Sequence, residues 1–280
     1  LEPLGRSLGL HFKTVVGGTS MEKQVYALRR GVDVLVATPG RLADLIRQGE
    51  CFLDEVEVVV LDEADQMADM GFLPMVTRLL TMTPARGQRM LFSATLDAGV
   101  NVLVQKFLHN PVTHQADSPE VTVDTMEHHV LQVRTDDRTD VLADLAAAPG
   151  RAILFTRTKH GAKKLTKQLI ARGIPAVELH GNLGQNARTR NLAAFEAGRV
   201  ETMVATDIAA RGIDVDDVEL VVHADPPSEE KAYLHRSGRT ARAGRDGWAI
   251  TLAEYNQHTQ VRILQRALRL ELGPPVEVFS

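Results

Sequence analysis

The chain has 280 residues, 44% hydrophobic and 24% charged, with a formal net charge of −4. That is enough apolar material for two globular domains and too little basic charge to wrap nucleic acid by bulk attraction, so any nucleic-acid site must be local. The single cysteine, Cys51, excludes an internal disulfide and a multi-cysteine metal site. No apolar run approaches the roughly 18 residues of a spanning helix, and residues 1–30 lack a leader pattern, so a cytoplasmic protein is expected.

In chain order, LEPLGRSLGL reads as the last turns of a helix entering a strand at 12–16. A chain starting on Leu1 in such a place is expected to be a fragment lacking an upstream strand and loop. Further strands are expected at 32–37, 56–61, 89–92 and 112–115, with helices near 21–30, 40–48, 72–82 and 98–108. A polar, aperiodic stretch from Asp117 to about His129 reads as a linker. Beyond it, strands are expected at 130–133, 152–155, 176–179, 201–205, 218–223 and 248–252, and helices at 138–147, 160–172, 185–197 and 256–271. Strands alternating with helices predict an α/β protein of two tandem doubly wound parallel-sheet domains.

The chemistry-bearing residues gather where these strands end. Asp62-Glu63-Ala64-Asp65 follows the apolar run Val58-Val59-Val60-Leu61, which puts two adjacent carboxylates at the carboxyl end of a strand read as buried. The plainer reading is that Asp62 or Asp65 caps the following helix. Thr38-Pro39-Gly40-Arg41 puts a Pro-started helix and an arginine at that edge, where anions bind. Ser93 and Thr95 bring two hydroxyls there and, taken alone, read as a helix cap. Arg236, Arg239 and Arg242 recur every third residue, which on a helix stacks three guanidinium groups along one face and calls for an anion. Thr206, Gly212 and Asp214 offer a hydroxyl, a close-approach glycine and a carboxylate able to hold a ribose. His109, His114, His128, His129 and His160 have no ligand spacing, so metal binding by them is not expected.

Together and in order, VVGGTS, TPGRL, DEAD, SAT, ILFTRTKHGA, HGNLGQNAR, VATDIAARGID and HRSGRTARAG resemble the DEAD-box ATP-dependent RNA helicases of superfamily 2. The ILFTRTKHGA segment is most similar to bacterial RhlE-like members. The resemblance implies two RecA-like domains: a partial, DEAD-containing ATP-binding domain at 1–117, a linker at 118–129 and a helicase C-terminal domain at 130–280. It implies ATP and Mg²⁺ as cofactors. It also implies a monomer whose partner is RNA read without sequence specificity, with ribosomal or decay-machinery proteins as candidate further partners.

The roles carried over by the resemblance are these. Asp62 would hold Mg²⁺ through water, Glu63 would polarise the attacking water, and Arg239 and Arg242 would act as arginine fingers. Gly212 and Asp214 would contact the nucleotide sugar. Asp65, Ser93, Thr95 and His235 would couple the domains. Gly17, Gly18, Thr38, Pro39, Gly40 and Arg41 would contact RNA from the first domain, and Arg157, Gly181, Gln185, Arg188 and Thr206 from the second, mostly at phosphate and 2′-hydroxyl.

Two departures qualify this. The phosphate-loop pattern G-x-x-x-x-G-K-[ST] does not occur in the 280 residues, so the chain alone is expected to bind ATP poorly and hydrolyse it negligibly. Ala241 stands where the family usually has glycine, with a small effect expected because alanine favours helix. The alternative reading is a non-hydrolysing RNA-binding clamp or decoy derived from a helicase. A DNA-directed superfamily 2 helicase is a third, disfavoured by the DEAD, SAT and HRSGRTARAG combination.

Overall fold

The computed structural model describes residues 2–115, 126–210, 215, 217–241, 245–268, 270 and 276–278. The chain divides after His114 into two compact units. The first contains α1 (Glu2–Arg6), β1 (Phe12–Val15), α2 (Met21–Leu28), β2 (Val34–Ala37), α3 (Pro39–Arg47), β3 (Val58–Leu61), α4 (Ala64–Asp69), α5 (Leu73–Thr81), β4 (Gln88–Leu91) and α6 (Ala98–Phe107). Helical crossovers make the pairing parallel. β1 pairs with β2 from Phe12↔Val34 to Val15↔Ala37, and β3 with β4 from Val58↔Gln88 to Leu61↔Leu91.

These are two separate ribbons rather than one sheet. Val15, Leu45, Cys51 and Leu53 form the core of the first, and Val76, Leu80, Leu103 and Phe107 that of the second. The uniformly apolar run of β3 predicts burial on both faces, yet Val58 and Val60 are 49% and 52% exposed. Only Val59 and Leu61 pack into the core supplied by α5 and α6. No strand forms at 112–115. Asn110 adopts a left-handed conformation (φ 46°) ahead of Pro111, which has no N–H to give a ladder, and Val112 is left exposed.

The second unit contains β5 (Met126–Gln132), α7 (Arg138–Ala146), β6 (Arg151–Phe155), α8 (Lys159–Ala171), β7 (Ala176–Leu179), α9 (Gln185–Glu196), β8 (Thr202–Ala205), α10 (Asp207–Ala210), β9 (Val218–His223), α11 (Glu230–Ser237), β10 (Gly247–Ala253), α12 (His258–Ala267) and β11 (Val276–Glu277). Its seven strands form one sheet in the order β11-β5-β10-β9-β6-β8-β7, and every pairing is parallel. Successive side chains of β6 divide between two cores because strand side chains alternate. Ala152 and Leu154 join Leu142, Leu165 and Leu169 of α7 and α8, while Ile153 and Phe155 join Phe195 and Ala209 of α9 and α10. Helices therefore cover both faces, as the doubly wound pattern requires. β5 begins at Met126, so residues 126–129, read from composition as linker, are its first half, paired with β10. The strand order reverses at β6, which has β8 on one side and β9 on the other. The carboxyl ends of these three strands surround the switch point where such sheets bind ligands.

Gly87 fixes the start of the β3–β4 ribbon, since a Cβ there would lie 2.8 Å from the Glu57 carbonyl oxygen. Gly87→Ala is expected to destabilise the first unit by about 1–3 kcal/mol, read as a lowered denaturant midpoint, because the backbone itself must move.

Candidate functional site

The β3–β4 ladder continues past its strands: Phe92 N–H donates to Leu61 O (2.7 Å) and Ala64 N–H to Phe92 O (3.1 Å). This places residues 62–65 beside 93–95. Asp65 is 1% exposed. Its N–H donates to Ser93 Oγ (3.1 Å), Ser93 Oγ–H donates to Thr95 O (2.7 Å), and Thr95 Oγ1–H donates to Asp65 Oδ2 (3.2 Å). Neither hydroxyl caps the helix that follows it in the chain, Ser93 Oγ taking a first-turn N–H of α4. Asp97 caps α6 instead, through Val100 N–H. The capping reading fails for the acids too: Asp65 lies inside α4, and Asp62 Oδ1 accepts from Glu63 N–H at 2.9 Å. Glu63 is left-handed (φ 52°, ψ 48°), a conformation that costs a non-glycine residue roughly 1–2 kcal/mol and persists only where its surroundings enforce it. The Asp65 lock enforces it here, and the Asp62 and Glu63 side chains stand exposed at the strand end.

At the carboxyl end of the other ribbon, Thr38 N–H donates to Val15 O and Pro39 opens α3. Arg41 donates to Thr19 O at 3.2 Å, joining this turn to the loop of Gly17 and Gly18 (φ 75° at Gly18). Gln24, absent from the sequence reading, is 3% exposed and shapes the loop from beneath through Val16 O, Thr19 Oγ1 and Ser20 O. A buried glutamine carries no local signal that would have singled it out. Thr38 makes no side-chain cap bond, and the first-turn N–H groups of α3 have no intrahelical acceptor.

In the second unit, Arg236 stitches the switch point together. It is 3% exposed, binds Asp207 through Nε (2.5 Å) and a terminal nitrogen (2.8 Å), donates to Asp225 O (2.8 Å), and lies over the Phe155 ring. Asp225 accepts from Arg157 N–H (2.7 Å) and Arg138 (2.6 Å). Arg188 donates to Ala209 O (2.6 Å), and burial lowers its guanidinium pKa from the ordinary value. Thr206 N–H donates to Leu179 O (3.1 Å), so the ends of β7 and β8 adjoin beside exposed Gly181 and the Gln185 start of α9. Arg157, Gly181, Gln185, Arg188 and Thr206 thus share one edge of this unit.

The expectation of three arginines along a helical face is corrected. α11 ends at Ser237 with Gly238 as its C-cap, Arg236 is consumed inside the unit, and Arg239 follows in a turn with its Nε–H donating to His235 O (3.3 Å). Arg239 and His235 line one depression with Asp207 and Arg236. Gly212, Asp214 and Arg242 lie outside the described residues. The expected small effect of Ala241 is also corrected: it sits at φ 53°, left-handed rather than helical, where glycine is free and alanine strained. Thr240, 2% exposed, fixes the turn by donating to Val218 O (2.5 Å), and Gly247 leaves room for it.

Behind α11, Tyr233 is stacked between two histidines. His128 Nδ1 lies 2.7 Å from the Tyr233 hydroxyl, and the His223 ring lies 4.6 Å from the Tyr233 ring. Burial, then the charge of Arg236 and of His128, hold His223 well below its ordinary pKa. Burial, then His129, lower His128 to about 4. Both rings pack against Tyr233 in the interior of the unit.

Exposed paired carboxylates in one parallel-stranded unit, and an arginine-laced switch point in a doubly wound second unit, put acids and arginines at strand ends, where parallel α/β sheets bind their ligands. The DEAD/DEAH box helicase family matches residues 1–102 and the helicase conserved C-terminal domain matches residues 137–244. The chain is 37% identical to the ATP-dependent RNA helicase RhlB of Pseudomonas syringae pv. tomato, over 99% of this chain and 72% of that protein. It is also 37% identical to the ATP-dependent RNA helicase CshA of Listeria monocytogenes, over 93% of this chain, and spans 50% of that relative's length. Yeast Dbp5 bound to RNA and ADP BeF3 superposes with a TM-score of 0.85 at 29% identity, over 99% of this chain and 72% of that one. The chain belongs to the DEAD-box ATP-dependent RNA helicase family. These names do not carry the finer RhlE-like grouping. Among the described residues no helix is long and apolar enough to cross a membrane.

Two measurements test this geometry, both read by fluorescence of Trp248, the one tryptophan, which lies in the second unit. Ala241→Gly is expected to raise the unit's stability by about 1 kcal/mol by relieving the left-handed strain. Because His128 and His223 are held below the ordinary value of about 6.5, the unfolded chain takes up protons first, so stability falls as pH drops from about 6.5 towards 4 and is flat just above that range. His223→Phe should flatten that fall.

Proposed function

We propose that the protein is an ATP-dependent RNA helicase that spends ATP hydrolysis on local RNA duplex separation or RNP remodelling. The observation that carries this reading is the buried Asp65–Ser93–Thr95 lock, which holds Asp62 and Glu63 on a strained backbone at the end of β3. A side-chain set this costly in conformation suits phosphoryl transfer, where positioning and charge neutralisation do nearly all the work. Asp62 stands exposed at the end of β3. That fits Mg²⁺, which is held by one or two carboxylates and completes its shell with water and phosphate oxygens. When bound it would neutralise charge on the phosphates. Glu63 orients the attacking water, and Arg239 with Arg242 offsets the charge growing on the transferred phosphoryl group.

RNA contact falls to Gly17, Gly18, Thr38, Pro39, Gly40 and Arg41 in the first unit, and to Arg157, Gly181, Gln185, Arg188 and Thr206 in the second. These are backbone amides, hydroxyls and a few arginines at strand ends, suited to phosphate and 2′-hydroxyl rather than base edges. That the Dbp5 neighbour is bound to RNA supports RNA as the ligand. Asp65, Ser93, Thr95 and His235 are proposed to couple nucleotide state to RNA grip, and Gly212 and Asp214 to hold the ribose.

The test is RNA-stimulated ATP hydrolysis by this chain beside the same chain carrying a phosphate-loop segment upstream of Leu1. Turnover is expected in the loop-bearing form only, and Glu63→Gln there should lower it by about 100-fold or more while RNA stays bound. Silence of the loop-bearing form with RNA still bound would overturn the helicase reading in favour of the clamp.

A further inference from the structure

One face of α8 is basic without relief. Lys159, His160, Lys163, Lys164 and Lys167 are all exposed, and at 3.6 residues per turn they fall within an arc of about 140°. The opposite side holds Ala162, Leu165, Thr166 and Leu169, each 6% exposed or less. The helix, KHGAKKLTKQLIA, has no acid. Among the described residues Lys163, Lys164 and Lys167 have no ion pair, whereas Arg172, just beyond the helix, is paired with Asp140, and Arg151 with Asp217.

This arrangement works against the helix. Lys159–Lys163 and Lys163–Lys167 are like charges at i,i+4, and Lys159 in the first turn opposes the macrodipole, each unfavourable by a few tenths of a kcal/mol. A local rule broken without structural return, in a chain of net charge −4, points to an anion. The position of the face names the anion. α8 begins directly after Arg157, and Lys159 Nζ donates to Asn182 Oδ1 (3.0 Å), tying its first turn to the loop of Gly181. The face starts at two of the proposed RNA loops and runs about 12 Å away from them. Its cations are flexible point charges and α8 has no Phe, Tyr or Trp to stack a base, which suits a phosphodiester backbone and no sequence reading.

We propose that the Lys163, Lys164 and Lys167 face of α8 is a second RNA-backbone contact, continuing the path from Arg157 and Gly181 along the flank of the second unit. It rests on the RNA-binding reading above. Its effect is to lengthen the footprint, so that longer RNAs are held more tightly than the segment gripped by the loops alone.

The test is the full chain with Lys163→Gln, Lys164→Gln and Lys167→Gln together. Affinity is measured for single-stranded RNAs of about six and about twenty nucleotides over a range of salt. The longer RNA should bind about tenfold more weakly, and the slope of log K against log salt should flatten by about 2, from three lost phosphate contacts. The short RNA should be unaffected and the thermal midpoint unchanged or higher, whereas Arg157→Ala should weaken both RNAs. The matching triple lysine-to-arginine variant should retain wild-type binding. Unchanged affinity and slope for the longer RNA, with both RNAs still bound by the wild type, would overturn this proposal alone and leave the face to an acidic protein. Failure of the wild type to bind either RNA would remove the RNA reading and this proposal with it.

Discussion

The organisation of the second unit depends on one buried guanidinium. Arg236 is bound at both ends of its fork by Asp207, takes the Asp225 carbonyl with its remaining terminal nitrogen and lies over Phe155, so it ties the carboxyl ends of β8, β9 and β6 to the last turn of α11. A desolvated arginine is tolerable only because this geometry satisfies it, and removing one partner of such a pair typically costs 3–5 kcal/mol because the other charge is left unpaired. A lysine could not replace it: a point charge cannot serve a bidentate carboxylate and a carbonyl together. Neutral His223 belongs to the same constraint. A second buried cation beside Arg236 would be repelled, and the stacked, uncharged ring packs instead.

The first unit solves the same problem with hydroxyls. Its strand ends must present acids to solvent in a fixed place, and the Ser93 and Thr95 network achieves this by binding the Asp65 backbone and carboxylate while Glu63 absorbs the conformational strain. In both units an apolar parallel ladder sets the height of the site, and a buried polar knot at the carboxyl edge sets its orientation. The knots are rigid because each member is satisfied by another.

Much of this was legible in the sequence where one physical demand dominated. Continuous apolar runs marked β6, β8 and β9, since burial on both faces admits little else. Turn chemistry marked α3 through Thr38 and Pro39. The failures came where long-range contacts decided. Spacing alone made Arg236, Arg239 and Arg242 equivalent; the helix end at Gly238 and the partner Asp207, 29 residues away, separate them. Propensity put Ala241 in a helix, but the packing of Thr240 onto β9 fixed its φ. Polar composition hid the first half of β5, whose pairing with β10 the sequence does not display. Val58 and Val60 failed differently: the run is apolar enough for two covered faces, and only one is covered among the described residues.

The division between arginine and lysine follows from these constraints. Arg138 and Arg236 are drawn into the fold because a planar fork can satisfy several acceptors at once, and what they offer outward is the positioned backbone around them. Among the described residues the unpaired cations of α8 are lysines, on a helix whose buried side is Ala162, Leu165 and Leu169 with one hydroxyl, Thr166, bonded back to Ala162 O. On the RNA reading proposed above, a chain of net negative charge grips a polyanion through strand-end amides and one lysine face rather than a coat. On that reading affinity depends on whether the loops are correctly shaped as well as on charge. That shape is set by Arg236 in one unit and by Gln24 and Arg41 in the other.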